Sequence, residues 1–198
     1  MSERKSWGDF YAHAGGVDYL LDHVAIHKDF LKQILRRKPV TALEAGCGSA
    51  IMSIFLAMTG VLVTACDRDD MVLQKASETA AAWHRKVNFE KADLMNLSFP
   101  ENSFDLSFSQ GVLEHMTDEQ IRTSCAQLLK VSPIFIFSVP GIYYRHQDFG
   151  DERLLSVKQW ESILSGVGKL SMKPYFYVRT KKNFLRKRPL MWMGILSR

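Results

Sequence analysis

The residues from Thr41 to Ala50, Thr-Ala-Leu-Glu-Ala-Gly-Cys-Gly-Ser-Ala, constrain the fold most. Val40, Ala42 and Leu43 read as a buried strand. Gly46 and Gly48 then remove two β-carbons where the backbone has to turn sharply and let a ligand approach. Ser49 to Met58 is an apolar run that reads as a helix, its free N–H groups facing the same point. A strand, a tight glycine turn and a helix N-terminus form a nucleotide-type crevice in an α/β sheet. Two nucleotide classes drop out. Ile51 stands where a dinucleotide fingerprint needs its third glycine, and no Lys-Ser/Thr pair follows to make a phosphate-cradling loop.

What remains is carried by acids. Glu44 precedes Gly46 by two residues, giving Glu-x-Gly-x-Gly with Cys47 inside the turn. Val61 to Cys66 reads as a second apolar strand with Asp67 at its carboxyl end. In an open α/β sheet that end lines the ligand crevice, and an acid there takes ribose hydroxyls. Asp67 lies about 20 residues past the glycines, the spacing such an acid needs. Arg68 beside it is a further candidate contact, whereas Asp69 and Asp70 read as caps of a helix from about Met71 to Trp83.

Val87 to Ala92 reads as a third strand ending in Asp93-Leu94, and the chain continues as Asp-x-x-x-Leu-x-Phe-x-x-x-Ser-Phe-Asp up to Asp105. Asp105 to Ser109 reads as a fourth strand, followed by Gln110-Gly-Val-Leu-Glu-His-Met116. Taken with the glycine turn, these segments resemble the class I S-adenosylmethionine (SAM) methyltransferases of the small-molecule, methyltransferase-11-like type. The resemblance implies that Glu44, Gly46, Cys47, Gly48, Asp67, Arg68, Asp93, Leu94, Ser109 and Gln110 bind SAM. In it Asp93 faces the exocyclic amine of adenine and the Leu94 backbone a ring nitrogen; Ser109 and Gln110 hold the methionine portion and begin the acceptor pocket. A carboxylate does accept from an N–H₂ donor, although a solvated loop acid is the other reading of Asp93. His115 is a catalytic candidate or a histidine packed against the glycine turn. Some family members chelate a divalent ion with Glu-x-x-Glu-His, but Gly111 takes the place of the first acid here, so no metal is expected.

The chain has 198 residues, 46 % hydrophobic and 24 % charged, which suits one soluble globular domain. No apolar run approaches the roughly 18–20 residues of a membrane span, and the N-terminus lacks the apolar core of a signal peptide. Cys47, Cys66 and Cys125 fit neither a disulfide framework nor a zinc pattern, so a cytoplasmic setting is expected. The net charge of +5 is uneven, because no acid follows Glu161 while Lys169, Lys173, Arg179, Lys181, Lys182, Arg186, Lys187 and Arg188 accumulate. Lys181 to Arg188 reads as a solvated turn between two final strands; an acidic small substrate or RNA are the other readings of the cluster.

Val17 to Arg37 carries Leu20, Val24, Leu31 and Ile34 at helical spacing, with Leu21, Phe30 and Leu35 widening the stripe and Ile26 at its flank. His27 falls on this face and reads as a packed histidine. Before it, the segment from Trp7 to Gly16 mixes aromatics with glycines, as a lid over the acceptor or an ordered terminus would. Asp118 to Lys130 reads as a helix, Pro133 to Val139 as a fifth, buried strand, and Ser156 to Leu164 as a Ser-capped helix. Leu170 to Val178 and Leu190 to Leu196 follow as strands with no helix between them, so they form an antiparallel hairpin.

The expected architecture is therefore an α/β, Rossmann-like, seven-stranded and mostly parallel sheet with a C-terminal antiparallel hairpin and helices on both faces. One domain spans residues 1–198, with a lid and cap helix over 1–38 and the SAM-binding core over 39–198, and no appended domain is expected. The polar, aromatic stretch from Pro140 to Arg153 leaves the sheet's carboxyl edge. Tyr143, Tyr144, His146 and Asp148 in it, with Tyr11 and Tyr19 from the lid, are the candidates for acceptor contact. A plain surface loop is the alternative. Gly150 to Arg153 is expected to tie this loop to the following helix by ion pairing. The resemblance implies a SAM-dependent methyltransferase acting on an O or N atom of a small molecule, with His115 or His146 as base. An RNA or protein methyltransferase using the basic C-terminal face, or a non-catalytic SAM-binding protein, are the alternatives. Nucleic acid and membrane are not expected as partners, and nothing in the residues indicates an oligomeric state.

Overall fold

The computed structural model describes residues 7–11, 14–144, 150–180 and 183–198. Its strands are Thr41–Ala45 (β1), Leu62–Asp67 (β2), Asn88–Lys91 (β3), Leu106–Gln110 (β4), Ile134–Pro140 (β5), Lys169–Thr180 (β6) and Asn183–Ser197 (β7). They form one sheet in the order β3-β2-β1-β4-β5-β7-β6. The first five strands run parallel, and β7 lies antiparallel to both β5 and β6. The helices are Trp7–Phe10 (α1), Val17–Leu35 (α2), Ile51–Met58 (α3), Asp70–Ala82 (α4), Asp118–Val131 (α5) and Val157–Ile163 (α6), with a 3₁₀ turn at Leu113–His115. This is the expected Rossmann-like sheet with its antiparallel hairpin.

Alternation along the strands divides the core in two. Phe135, Phe137 and Val139 of β5 face a cluster with Ile121 and Leu128 of α5 and Trp160 of α6. Ile136, between them, faces the other side with Phe30 and Ile34 of α2 and Ile54 and Leu56 of α3. Each such fully buried side chain contributes roughly 1.5–3 kcal/mol relative to exposure. Trp160 is completely buried, and its truncation to Ala would cost about 3–5 kcal/mol. Helix starts are fixed locally. Thr117 with Gln120, and Ser156 with Gln159, form reciprocal capping boxes, while Asp69 caps α4 by accepting from Met71 N–H and Val72 N–H. The reading of Asp69 as a cap holds.

β1 and β2 connect through α3 on one side of β1, and β4 lies on the other. That reversal opens a crevice at the carboxyl ends of β1 and β4, where α/β sheets bind ligands.

Several local expectations need correction. The helix after the glycine turn starts at Ile51, because Ala50 adopts a left-handed conformation (φ 54°) at its cap. Leu21 does not widen the buried stripe of α2; it is 59 % exposed. The run Asn183 to Arg188 is part of β7, Arg188 pairing with Val178 of β6, and not a turn; Lys181 and Lys182 lie outside the described residues. Arg153 ties its loop back to the preceding helix through Asp118 at 2.6 Å, not forward to α6.

Candidate active site

The glycine turn folds as its residues require. Gly46 and Gly48 take φ of 69° and 51°, a region that side chains disfavour. A β-carbon on Gly46 would lie 2.7 Å from the Val112 side chain, and one on Gly48 would lie 2.5 Å from the ring of Tyr11. The amides of Gly46 and Cys47 both donate to the Cys66 carbonyl, which closes the turn against the end of β2. Glu44 is buried beneath it, its Oε2 accepting from the Ser53 amide at 3.2 Å and from the Ser53 hydroxyl. That pairing fastens β1 to the first turn of α3. Burial pushes the Glu44 carboxyl up to about 8.

Two cavities open from this turn. The smaller, about 290 Å³, is lined by Gly46, Gly48, Asp67, Arg68, Asp93 and Leu94 among others. Asp67 accepts from the Gly48 amide at 3.3 Å and the Asp69 amide at 3.2 Å, so the carboxyl is oriented before any ligand arrives. Burial raises its proton affinity, and those backbone donors offset part of the rise. Asp93 accepts from the Met95 amide at 2.9 Å, which pins it at the wall.

The larger cavity, about 610 Å³, is lined by Tyr19, His23 and His27 of α2, by Glu44, Cys47 and Gln110 at strand ends, and by Glu114 and Tyr144. Trp7, Tyr11, Gly46, Gly111 and His115 line both cavities. His27 is buried and bonded through Nδ1 to the Tyr175 hydroxyl at 2.7 Å, and Tyr175 bonds onward to Ser138. It is the packed histidine expected, yet it also borders the cavity, and desolvation pulls its pKa down to about 3. It also marks a kink in α2, with φ −99° and ψ 15°.

At the junction of the two cavities, His115 Nδ1 lies 2.5 Å from Asp151 Oδ1, and the Trp7 ring meets the imidazole edge-on at 5.1 Å. A carboxylate accepts only, so this contact puts a ring hydrogen on Nδ1, and in the neutral imidazole Nε2 is then the basic nitrogen.

The structure thus brings together at the two cavities the expected Glu44, Gly46, Cys47, Gly48, Asp67, Arg68, Asp93, Leu94, Gln110, Tyr11, Tyr19, Tyr144 and His115. Ser109 is buried and lines neither cavity, its hydroxyl without a hydrogen-bond partner among the described residues. Tyr143 is 40 % exposed and stacks under the Arg188 guanidinium at 4.8 Å, away from both. His146 and Asp148 lie outside the described residues.

A family model described as a methyltransferase domain matches residues 42–132, from β1 through α5. Over this stretch, a little under half of its length, the chain resembles a methyltransferase domain, in keeping with its likeness to the class I SAM-dependent methyltransferases. It is 28 % identical over 110 residues to a ubiquinone biosynthesis O-methyltransferase of Coxiella burnetii, covering 55 % of this chain and 47 % of that protein. It is 30 % identical over 136 residues to a ribosomal protein L11 methyltransferase of Campylobacter concisus, covering 65 % and 46 %. The chain thus spans about half the length of these relatives. Its fold matches that of magnesium protoporphyrin IX methyltransferase from Synechocystis, solved with bound SAH, with a TM-score of 0.64 at 18 % identity over 96 % and 93 % of the two chains.

The cofactor that this resemblance implies is SAM, and the smaller cavity fits that molecule. A carboxyl at the end of β2 suits a ribose diol, Asp93 and Leu94 suit an adenine edge, and Gly46 and Gly48 let Val112 and Tyr11 pack against the turn beside them. Among the described residues no cluster of three His, Cys, Asp or Glu side chains is placed to hold a metal. Sequence reasoning missed Asp151 as the partner of His115. The two are 36 residues apart in chain order, and no spacing rule joins them. It also passed over Glu114 except as a metal ligand, and over His23 as a cavity wall.

Proposed function

We propose that this methyltransferase moves the SAM methyl group to an oxygen or nitrogen of a small molecule held in the larger cavity, with His115 as the base. One observation carries the reading: a second cavity of about 610 Å³ adjoins the cofactor-type cavity, and the His115–Asp151 pair stands where they meet. A pocket of that volume, walled by aromatic side chains with a few polar groups, suits a small molecule.

When bound, SAM supplies a methyl group already activated on its sulfonium. The protein's task is alignment, which alone is worth on the order of 7–11 kcal/mol. Tyr11, Gly46 and Gly111 border both cavities and would define the line between donor and nucleophile. Asp151 fixes the imidazole and stabilises its charged form, while His115 Nε2 takes the proton of a hydroxyl acceptor. Such a base adds about 10²- to 10⁴-fold. The test is methyl transfer from labelled SAM to fractionated metabolites, RNA and protein offered in parallel. Label in the metabolite fraction is expected; label confined to RNA or protein would move the acceptor out of this cavity.

A further inference from the structure

Glu114 has no role in the scheme above, and its surroundings are unusual for a structural residue. It stands on the 3₁₀ turn next to His115, is only 4 % exposed, and lines the larger cavity. Its Oε2 has no hydrogen-bond partner among the described residues. An unsatisfied buried acceptor carries a desolvation cost that an apolar side chain of similar size would not incur. The rest of the wall adds two carboxyl groups, Glu44 and Glu152, and no Lys or Arg is among the described residues lining this cavity. Burial lowers the proton affinity of His23 and His27, which disfavours a positive charge on either ring.

We propose that Glu114 is the docking group for an ammonium on the acceptor, so that the substrate class is an amine-bearing alcohol or phenol. This rests on the larger cavity being the acceptor site. A glutamate's terminal torsion is soft, so either carboxyl oxygen can turn to a guest. A cation entering there meets an Oε2 without a hydrogen-bond partner among the described residues, whereas an anion meets no Lys or Arg among the described residues of the wall. The ammonium is a handle and not the methylated atom, because a protonated nitrogen has no lone pair to receive a methyl group. The nucleophile is then a second group, a hydroxyl, facing His115 on the neighbouring position of the same turn.

The groups around Glu114 fit this role. Asp151 and Glu152 from the loop after β5, and Tyr175 from β6, surround it together with His115; burial first, then the Glu152 and Asp151 charges, push its carboxyl up to about 8. At neutral pH Glu114 therefore holds a proton, which a bound cation displaces.

The experiment compares three probes of matched shape, benzylammonium, benzyl alcohol and benzoate, binding to the full chain saturated with S-adenosylhomocysteine. Benzylammonium should bind about tenfold or more tighter than benzoate, from one charge-assisted bond, and the advantage should vanish in Glu114→Gln. In the unaltered protein, calorimetry in buffers of different ionisation heat should show close to one proton released with benzylammonium at pH 7 and none with benzyl alcohol. Benzoate binding as tightly as benzylammonium, an advantage that survives Glu114→Gln, or no proton release would overturn the proposal. Failure to bind S-adenosylhomocysteine at all would instead strike at the cofactor site, so the two failures are distinguishable.

Discussion

His115 and Asp151 meet Nδ1 to Oδ1 at 2.5 Å although 36 residues separate them, and the contact lies where the two cavities join. Two connections create it. The 3₁₀ turn after β4 presents the imidazole, and the loop after β5 returns across it, held by the Arg153 amide on the Glu114 carbonyl and by the Arg153 guanidinium on Asp118.

Asp151→Asn should leave the fold intact and disturb the imidazole's tautomer and charge. Turnover of a hydroxyl acceptor is expected to fall by about 10²-fold or more, while SAM affinity stays within a few-fold. Steady-state kinetics paired with calorimetry reads both, and unchanged turnover would remove the base from the scheme.

Asp67→Ala should weaken SAM binding by about tenfold or more, since two charge-assisted bonds to the ribose would be lost. Direct titration with S-adenosylhomocysteine checks it. A folded variant with unchanged affinity would show that Asp67 serves only its Gly48 and Asp69 amides.

Tyr11 and Tyr144, from the N-terminal segment and the loop after β5, border the larger cavity. Tyr11→Ala with Tyr144→Ala should lower turnover and raise KM for the acceptor. SAM affinity should fall less than acceptor affinity, because Asp67 and Asp93 are untouched and only Tyr11 of the pair also borders the smaller cavity. Equal losses in both affinities would place these rings on the cofactor.

Glu114 also predicts a pH signature. Its folded pKa, about 8, stands above the ordinary carboxylate value, so the folded state holds the proton more tightly than the unfolded chain. Its contribution to stability is full below the unfolded pKa near 4.5 and is lost as pH rises through about 8. Unfolding free energy of the parent protein minus that of Glu114→Gln should therefore decline between pH 5 and 9, at roughly 1.4 kcal/mol per unit at most. Glu44, also raised to about 8, and His27, lowered to about 3, are common to both proteins and cancel in the difference. A flat difference would mean that Glu114 carries no buried proton.

The parts of this fold written in local chemistry could be read directly. The glycine turn, Asp67 at the end of β2, the caps at Asp69 and Ser156, and the closing hairpin each depend on neighbours within a few residues. Leu21 misled because its spacing suits the α2 stripe while its side chain points outward beyond the helix's contact with the sheet. Asn183 to Arg188 misled because charge marks solvent exposure, and a long hairpin strand satisfies that as well as a turn does. The His115–Asp151 pair and the burial of Glu114 were not legible, since tertiary return of a loop makes the first and leaves Glu114 Oε2 without a hydrogen-bond partner among the described residues.

The central claim is that a SAM-dependent transfer takes place between these two cavities. Its most direct test is a structure with S-adenosylhomocysteine and a methylated small-molecule product bound together. The account predicts the ribose on Asp67, the adenine beside Asp93 and Leu94, and the new methyl group between the sulfur and His115, with the product's body in the cavity bordered by Tyr11, Tyr19 and Tyr144. A cofactor bound elsewhere than the glycine turn, or a product lying outside the larger cavity, would contradict it.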